Sequence, residues 1–211
     1  MSLSIRKIGS HPIWHIESDG RYELAMTFLR MQEWYESGNP EFRHHTFTLD
    51  AYMDWYVREY GKGKASFTYA DDWGGFNIPS TAVNAVLREF LPHTLHEKVL
   101  FQLLSDAGAS SEPTYYLIGS RVGQTAFFEH ELCHARFGVI PAYRHDVLQV
   151  LERFPVIRFR KWLGQLGYAE AVFDDEVHAY MLTGYEKYPH AVTKEMRALT
   201  DALRNVASRY I

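Results

Sequence analysis

Residues 124–138 constrain this chain more than any other stretch. Phe127, Phe128, Leu132, Cys133 and Phe137 give the segment apolar side chains almost all the way round at helical spacing, which predicts a helix that belongs in an interior. In its middle stands His130-Glu131-Leu132-Cys133-His134. Two imidazoles and a carboxylate are costly in such surroundings unless they find partners. Residues four apart share a helix face, so both histidines can grip one metal ion. Glu131, rotated by about 100° from His130, is placed to take a proton from a metal-bound water. The plainer alternative is that two histidines merely share one face of a structural helix.

The rest of the chain supports a globular protein of ordinary composition. Its 211 residues predict a single domain, with helices and a sheet over 1–123 and metal-binding helices plus a C-terminal helix over 124–211. Aromatics make up 15% of the residues, enough for a large core and a substrate groove. Lys and Arg number 22 against 26 Asp and Glu, and no basic run exceeds two residues, so no nucleic-acid partner is expected. No apolar run approaches the ~20 residues of a membrane span, and the segment before Trp14 lacks the apolar core of a signal peptide. The single cysteine, Cys133, forbids an internal disulfide. A soluble cytoplasmic protein is the expectation.

Apolar spacing and capping residues predict helices over 21–37, 49–60, 81–91, 95–107, 143–153, 155–167, 173–183 and 193–209, with Ser80 or Thr81 capping the third. Strands are expected at 64–70 and 114–120, and a turn-rich connection at 71–80. The fold class is therefore α+β, mainly helical with a small mixed sheet.

A catalytic zinc takes three protein ligands and keeps a fourth position for water. The metzincin extension would need glycine at 137 and histidine at 140, where this chain has Phe137 and Ile140. The third ligand must then come from His145, Glu152, Glu170, Asp174, Asp175, Glu176, His178 or Glu186, and the densest group is Asp174-Asp175-Glu176-Val177-His178.

The motif followed by an acidic residue on a later helix resembles the gluzincin branch of the zincin metallopeptidases. The resemblance covers residues 128–138 and 173–182. It implies a zincin-like domain whose sheet lies next to the active-site helix, with one Zn2+ per chain on His130, His134 and Glu176. It also implies Glu131 as general base and a peptide or protein as substrate. Tyr180, one turn after Glu176, could support an oxyanion or simply pack in the core. Asp175 could hydrogen-bond a ligand histidine, and His178, on another face from Glu176, could stabilise an intermediate. Zincins pair extended substrates with an edge strand, for which 114–120 is the candidate. His44-His45, His93, His96 and Asp71-Asp72-Trp73-Gly74-Gly75 read as surface or turn residues more readily than as second sites.

Two other classes compete with the hydrolase. Glu131-x-x-His134 and Asp175-x-x-His178 both match the acid-x-x-His spacing of di-iron carboxylate proteins, which would need further acids such as Glu33 or Glu97. A zincin scaffold could also serve as a non-catalytic binding or structural protein.

Overall fold

The computed structural model describes residues 3–60, 66–166, 168, 170–184, 188 and 193–210. It is mainly helical with one four-stranded mixed sheet, the expected α+β class. The chain divides into two compact units, Met1–Phe128 and Glu129–Ile211. None of the described helices is long and apolar enough to cross a membrane.

The first unit runs β1 (Leu3–Lys7), β2 (Ile13–Ser18), α1 (Arg21–Glu36), α2 (Leu49–Tyr60), α3 (Tyr69–Asp72), β3 (Gly75–Pro79), α4 (Ser80–Glu89), α5 (Leu95–Asp106) and β4 (Tyr116–Arg121). The strand order is β1-β2-β4-β3; β2 and β4 are parallel and both outer pairs antiparallel. One sheet face, with Trp14, Ile16, Phe76, Ile78 and Leu117, joins Leu24, Phe28 and Met31 of α1 in the core. Much of the aromatic content lies in this core, where Phe42, Phe47, Tyr52, Tyr56 and Tyr69 meet ring to ring. The charged groups buried along α1 are matched: Arg30 pairs with Glu97 and donates to the carbonyls of Phe90 and Pro92, and Glu33 accepts from the Tyr69 hydroxyl at 2.9 Å. On the sheet's other face, Arg6 donates to His15 Nδ1 at 3.0 Å, so His15 Nε2–H donates to Ser120 Oγ at 2.8 Å. Burial, helped by the Arg6 charge, pulls the His15 pKa down to about 4.

Gly119 on β4 is required by close packing. A Cβ there would lie 2.5 Å from the Phe28 ring, which is itself fully buried and stacked on Phe76. Gly119→Ala should therefore destabilise the first unit by about 1–3 kcal/mol. Thermal unfolding would register this as a melting temperature lower by several degrees, and an unchanged transition would refute the tight fit.

Several expectations need correction. Of the strand expected at 64–70, residues 64–65 lie outside the described ones, as does the helix stop at 61–63; 66–68 are irregular and Tyr69–Asp72 is helical. The turn expected at 71–80 contains β3, and two N-terminal strands were not anticipated. α4 begins after Pro79 with no side-chain cap from Ser80 or Thr81, whereas α5 has a full capping box between Thr94 and Glu97. The strand expected at 114–120 is β4, but it lies between β2 and β3 and its backbone is paired on both sides. It therefore offers no edge to an extended substrate.

α6 (Thr125–Val139) carries the boundary between the units. It is buried only from Glu131 to Ala135; Thr125 to Phe127 and Gly138 are exposed, so the expectation of an interior helix holds for its middle alone. The second unit continues with α7 (Pro141–Leu151), α8 (Ile157–Gln165), α9 (Phe173–Thr183) and α10 (Lys194–Ala207). Pro141 starts α7 at a position where its missing N–H costs nothing. α9 opens on Asp174, Asp175 and Glu176, acids favoured at a helix N-terminus. Leu199, Leu203 and Val206 form the buried stripe of α10, which packs on α7 and α9 around Tyr143, Val147, Val177 and Met181. Gly167 and Glu186, named as a helix end and a candidate ligand, lie outside the described residues.

Candidate metal centre

The middle of α6 and the start of α9 bring three donor groups together. His130, His134 and Glu176 each offer a ligand atom within 4.8 Å of the other two, and they form the one such group of three among the described residues. The two Nε2 atoms are 3.3 Å apart; Glu176 Oε1 is 3.8 Å from His134 Nε2, and Oε2 is 4.0 Å from His130 Nε2. Tetrahedral bonds of ~2.1 Å put ligand atoms ~3.4 Å apart, so these spacings suit a single small ion with modest contraction.

Neighbouring groups aim both imidazoles inward. Thr183 Oγ1 donates to the Ala179 carbonyl at 2.8 Å, so at 3.0 Å from His130 Nδ1 it acts as an acceptor. That places the His130 proton on Nδ1 and its lone pair on Nε2. His134 Nδ1 lies 3.0 Å from Asp175 Oδ2, which fixes the second ring in the same sense. Thr183 was not foreseen, yet Glu176, Tyr180 and Thr183 are spaced i, i+4, i+7 and mark one face of α9.

The electrostatics show what the cluster is short of. Burial pushes the Glu176 carboxyl up to about 7; His134 works against this, while Asp175 and Glu131 add to it. Its Oε2 is buried without a hydrogen-bond partner. Burial opposes charge on His134, but Asp175, Glu176 and Glu131 outweigh it and raise its pKa well above the ordinary histidine value. Burial likewise opposes charge on Asp175, yet His134 and His178 hold it down at about 2. An excess of carboxylate in low dielectric is balanced by protons, on His134 and in part on Glu176, or by a metal ion. The donor set fits a metal on both counts, distance and charge.

Glu131 is buried, and its charge reaches His134, Glu176 and Tyr180. The Tyr180 ring meets His130 edge-on at 4.9 Å, and its hydroxyl is 3.4 Å from that of Tyr168. His178 is fully buried and hydrogen-bonded to Tyr143, away from the ligand group. Cys133 is buried, and burial raises its thiol to about 12, so it is an inert core residue.

The remaining candidates go elsewhere. His145, Glu152 and Glu170 are exposed, and Asp174 pairs with Arg160. Glu33 and Glu97, the further acids a di-iron site would need, are held by Tyr69 and Arg30. His44 and His45 are exposed, His93 Nε2 lies 3.0 Å from the Leu87 carbonyl, and Asp72 accepts from Tyr56 and Thr68. Neither protein-family models nor curated proteins nor solved structures give a match to this chain.

Proposed function

We propose that this protein is a metal-dependent hydrolase of peptide bonds, with zinc as the metal. The observation that carries the reading is the convergence of His130 Nε2, His134 Nε2 and the Glu176 carboxylate, with Glu131 buried beside them. Bound there, zinc supplies Lewis-acid polarisation of a carbonyl and lowers the pKa of water. Glu131 accepts the proton of the attacking water and returns it to the leaving amine. Tyr180, whose hydroxyl titrates above the ordinary tyrosine value because of burial, stays protonated and donates a hydrogen bond to the developing oxyanion. Thr183 and Asp175 hold the two imidazoles in place. The acid-x-x-His alternative would use His178 as a ligand, and the bond from that ring to Tyr143 weighs against it.

The test is metal analysis of protein purified without added metal, followed by cleavage of an unfolded protein substrate with and without chelator. The expected result is about one zinc per chain, as one three-ligand site allows, with cleavage lost on chelation and restored by zinc. Two irons per chain would favour the di-iron reading. Zinc uptake without cleavage would make the site a binding or structural one.

A further inference from the structure

Two fully buried polar side chains, Tyr143 of α7 and His178 of α9, have no part in the chemistry above. The Tyr143 hydroxyl is 2.6 Å from His178 Nε2. On the other side of the ring, His178 Nδ1 faces Asp175 Oδ1 at 3.5 Å, a contact longer than a hydrogen bond between two buried atoms that have no hydrogen-bond partner, and Phe137 stacks on the ring at 5.6 Å. Asp175 uses its second oxygen, Oδ2, to accept from the ligand His134. Of the two neutral tautomers, one suits this geometry. If His178 carried its proton on Nε2, the Nδ1 lone pair would point at an anionic carboxylate. With the proton on Nδ1, Nε2 accepts from the phenol and an N–H faces Asp175.

We infer that Tyr143 and His178 form a relay that sets the aim of the metal ligand His134. Tyr143 O–H selects the His178 tautomer, His178 Nδ1–H points at Asp175 Oδ1, and Asp175 Oδ2 receives His134 Nδ1–H. His134 Nε2 is thereby turned toward His130 and Glu176. Both relay members are positioning residues. The assignment rests on the metal-centre reading above and does not depend on hydrolysis. A well-packed apolar pair would fill the same space without desolvating a phenol and an imidazole, which favours orientation over packing as the reason for the pair.

The experiment uses the full chain, stripped of metal and titrated with zinc against a chromophoric chelator. In parallel, nitrogen spectra of histidine-labelled protein report which ring nitrogen of His178 carries the proton. The unmodified protein should show His178 protonated at Nδ1. Tyr143→Phe should weaken that preference and bind zinc about tenfold more weakly, the low end for a partner beyond the ligands. His178→Asn, whose amide nitrogen can replace Nδ1, should retain more affinity than His178→Leu. A proton on His178 Nε2 in the unmodified protein would overturn the relay, and so would Tyr143→Phe affinity within about twofold of the parent, well short of the change expected. If Tyr143→Phe does not fold, the parent tautomer and the Asn-versus-Leu comparison decide the matter. A parent protein that takes up no zinc would overturn the metal centre as well, whereas normal uptake with an indifferent Tyr143→Phe would remove the relay alone.

Discussion

Glu131→Gln should bind zinc with the parent's stoichiometry and hydrolyse peptides about 10²- to 10⁴-fold more slowly, the range associated with losing one positioned base. Glutamine keeps the shape of the side chain and its place in the buried middle of α6, so the activity of the variant tests proton transfer. The substitution also removes a carboxylate that repels Glu176 and raises its pKa, and in a buried site that relieves like-charge repulsion. The metal-free fold should therefore melt at or above the parent temperature. Single-turnover rates and metal content measured on the same preparation check both halves. Full activity in the variant would mean that the water is activated by another group, and the role proposed for Glu131 would be withdrawn.

Glu176→Gln should weaken zinc binding by about 10²-fold, taking ~3 kcal/mol as one ligand's share of a typical zinc-site binding free energy. The same variant should be no less stable than the parent when metal-free. The reason lies in the cost of the carboxylate itself: burial pushes it up to about 7, and its Oε2 has no hydrogen-bond partner. A neutral amide of equal size relieves that desolvation. Loss of metal affinity together with unchanged or improved metal-free stability identifies a residue kept for binding at the expense of folding. Chelator competition and thermal unfolding in excess chelator measure the two effects separately. Equal losses of both would make Glu176 an ordinary structural acid.

The α6 and α9 helices were legible because each carries a strong local signal. α9 begins and ends where expected, between an acidic first turn and Gly184. The two-histidine motif was legible for the same reason: i, i+4 geometry is internal to one helix. β2 was missed because its first four residues, including His15, are all buried, which erases the alternation that marks a half-exposed strand. β3 was missed because Gly75 and Pro79 bound it and read as a turn. At 66–72 the alternating aromatics imitate a strand, while Tyr69–Asp72 closes as a helical turn with its tyrosine buried against Tyr52 and Tyr56.

The identity of the third donor shows where local information ends. Asp174, Asp175, Glu176 and His178 are equivalent candidates as a string of letters. Their helix phase relative to α6 separates them. Asp174 is turned to Arg160, Asp175 stands behind His134, Glu176 faces both Nε2 atoms, and His178 is buried against Tyr143. Periodicity along one helix could assign His130, Glu131 and His134, because their relation depends on backbone geometry alone. The places of Glu176, Asp175, Thr183 and Tyr143 depend on how α6, α7 and α9 pack, and that packing is decided by side chains far apart in the chain, such as Val147, Val177 and Leu203.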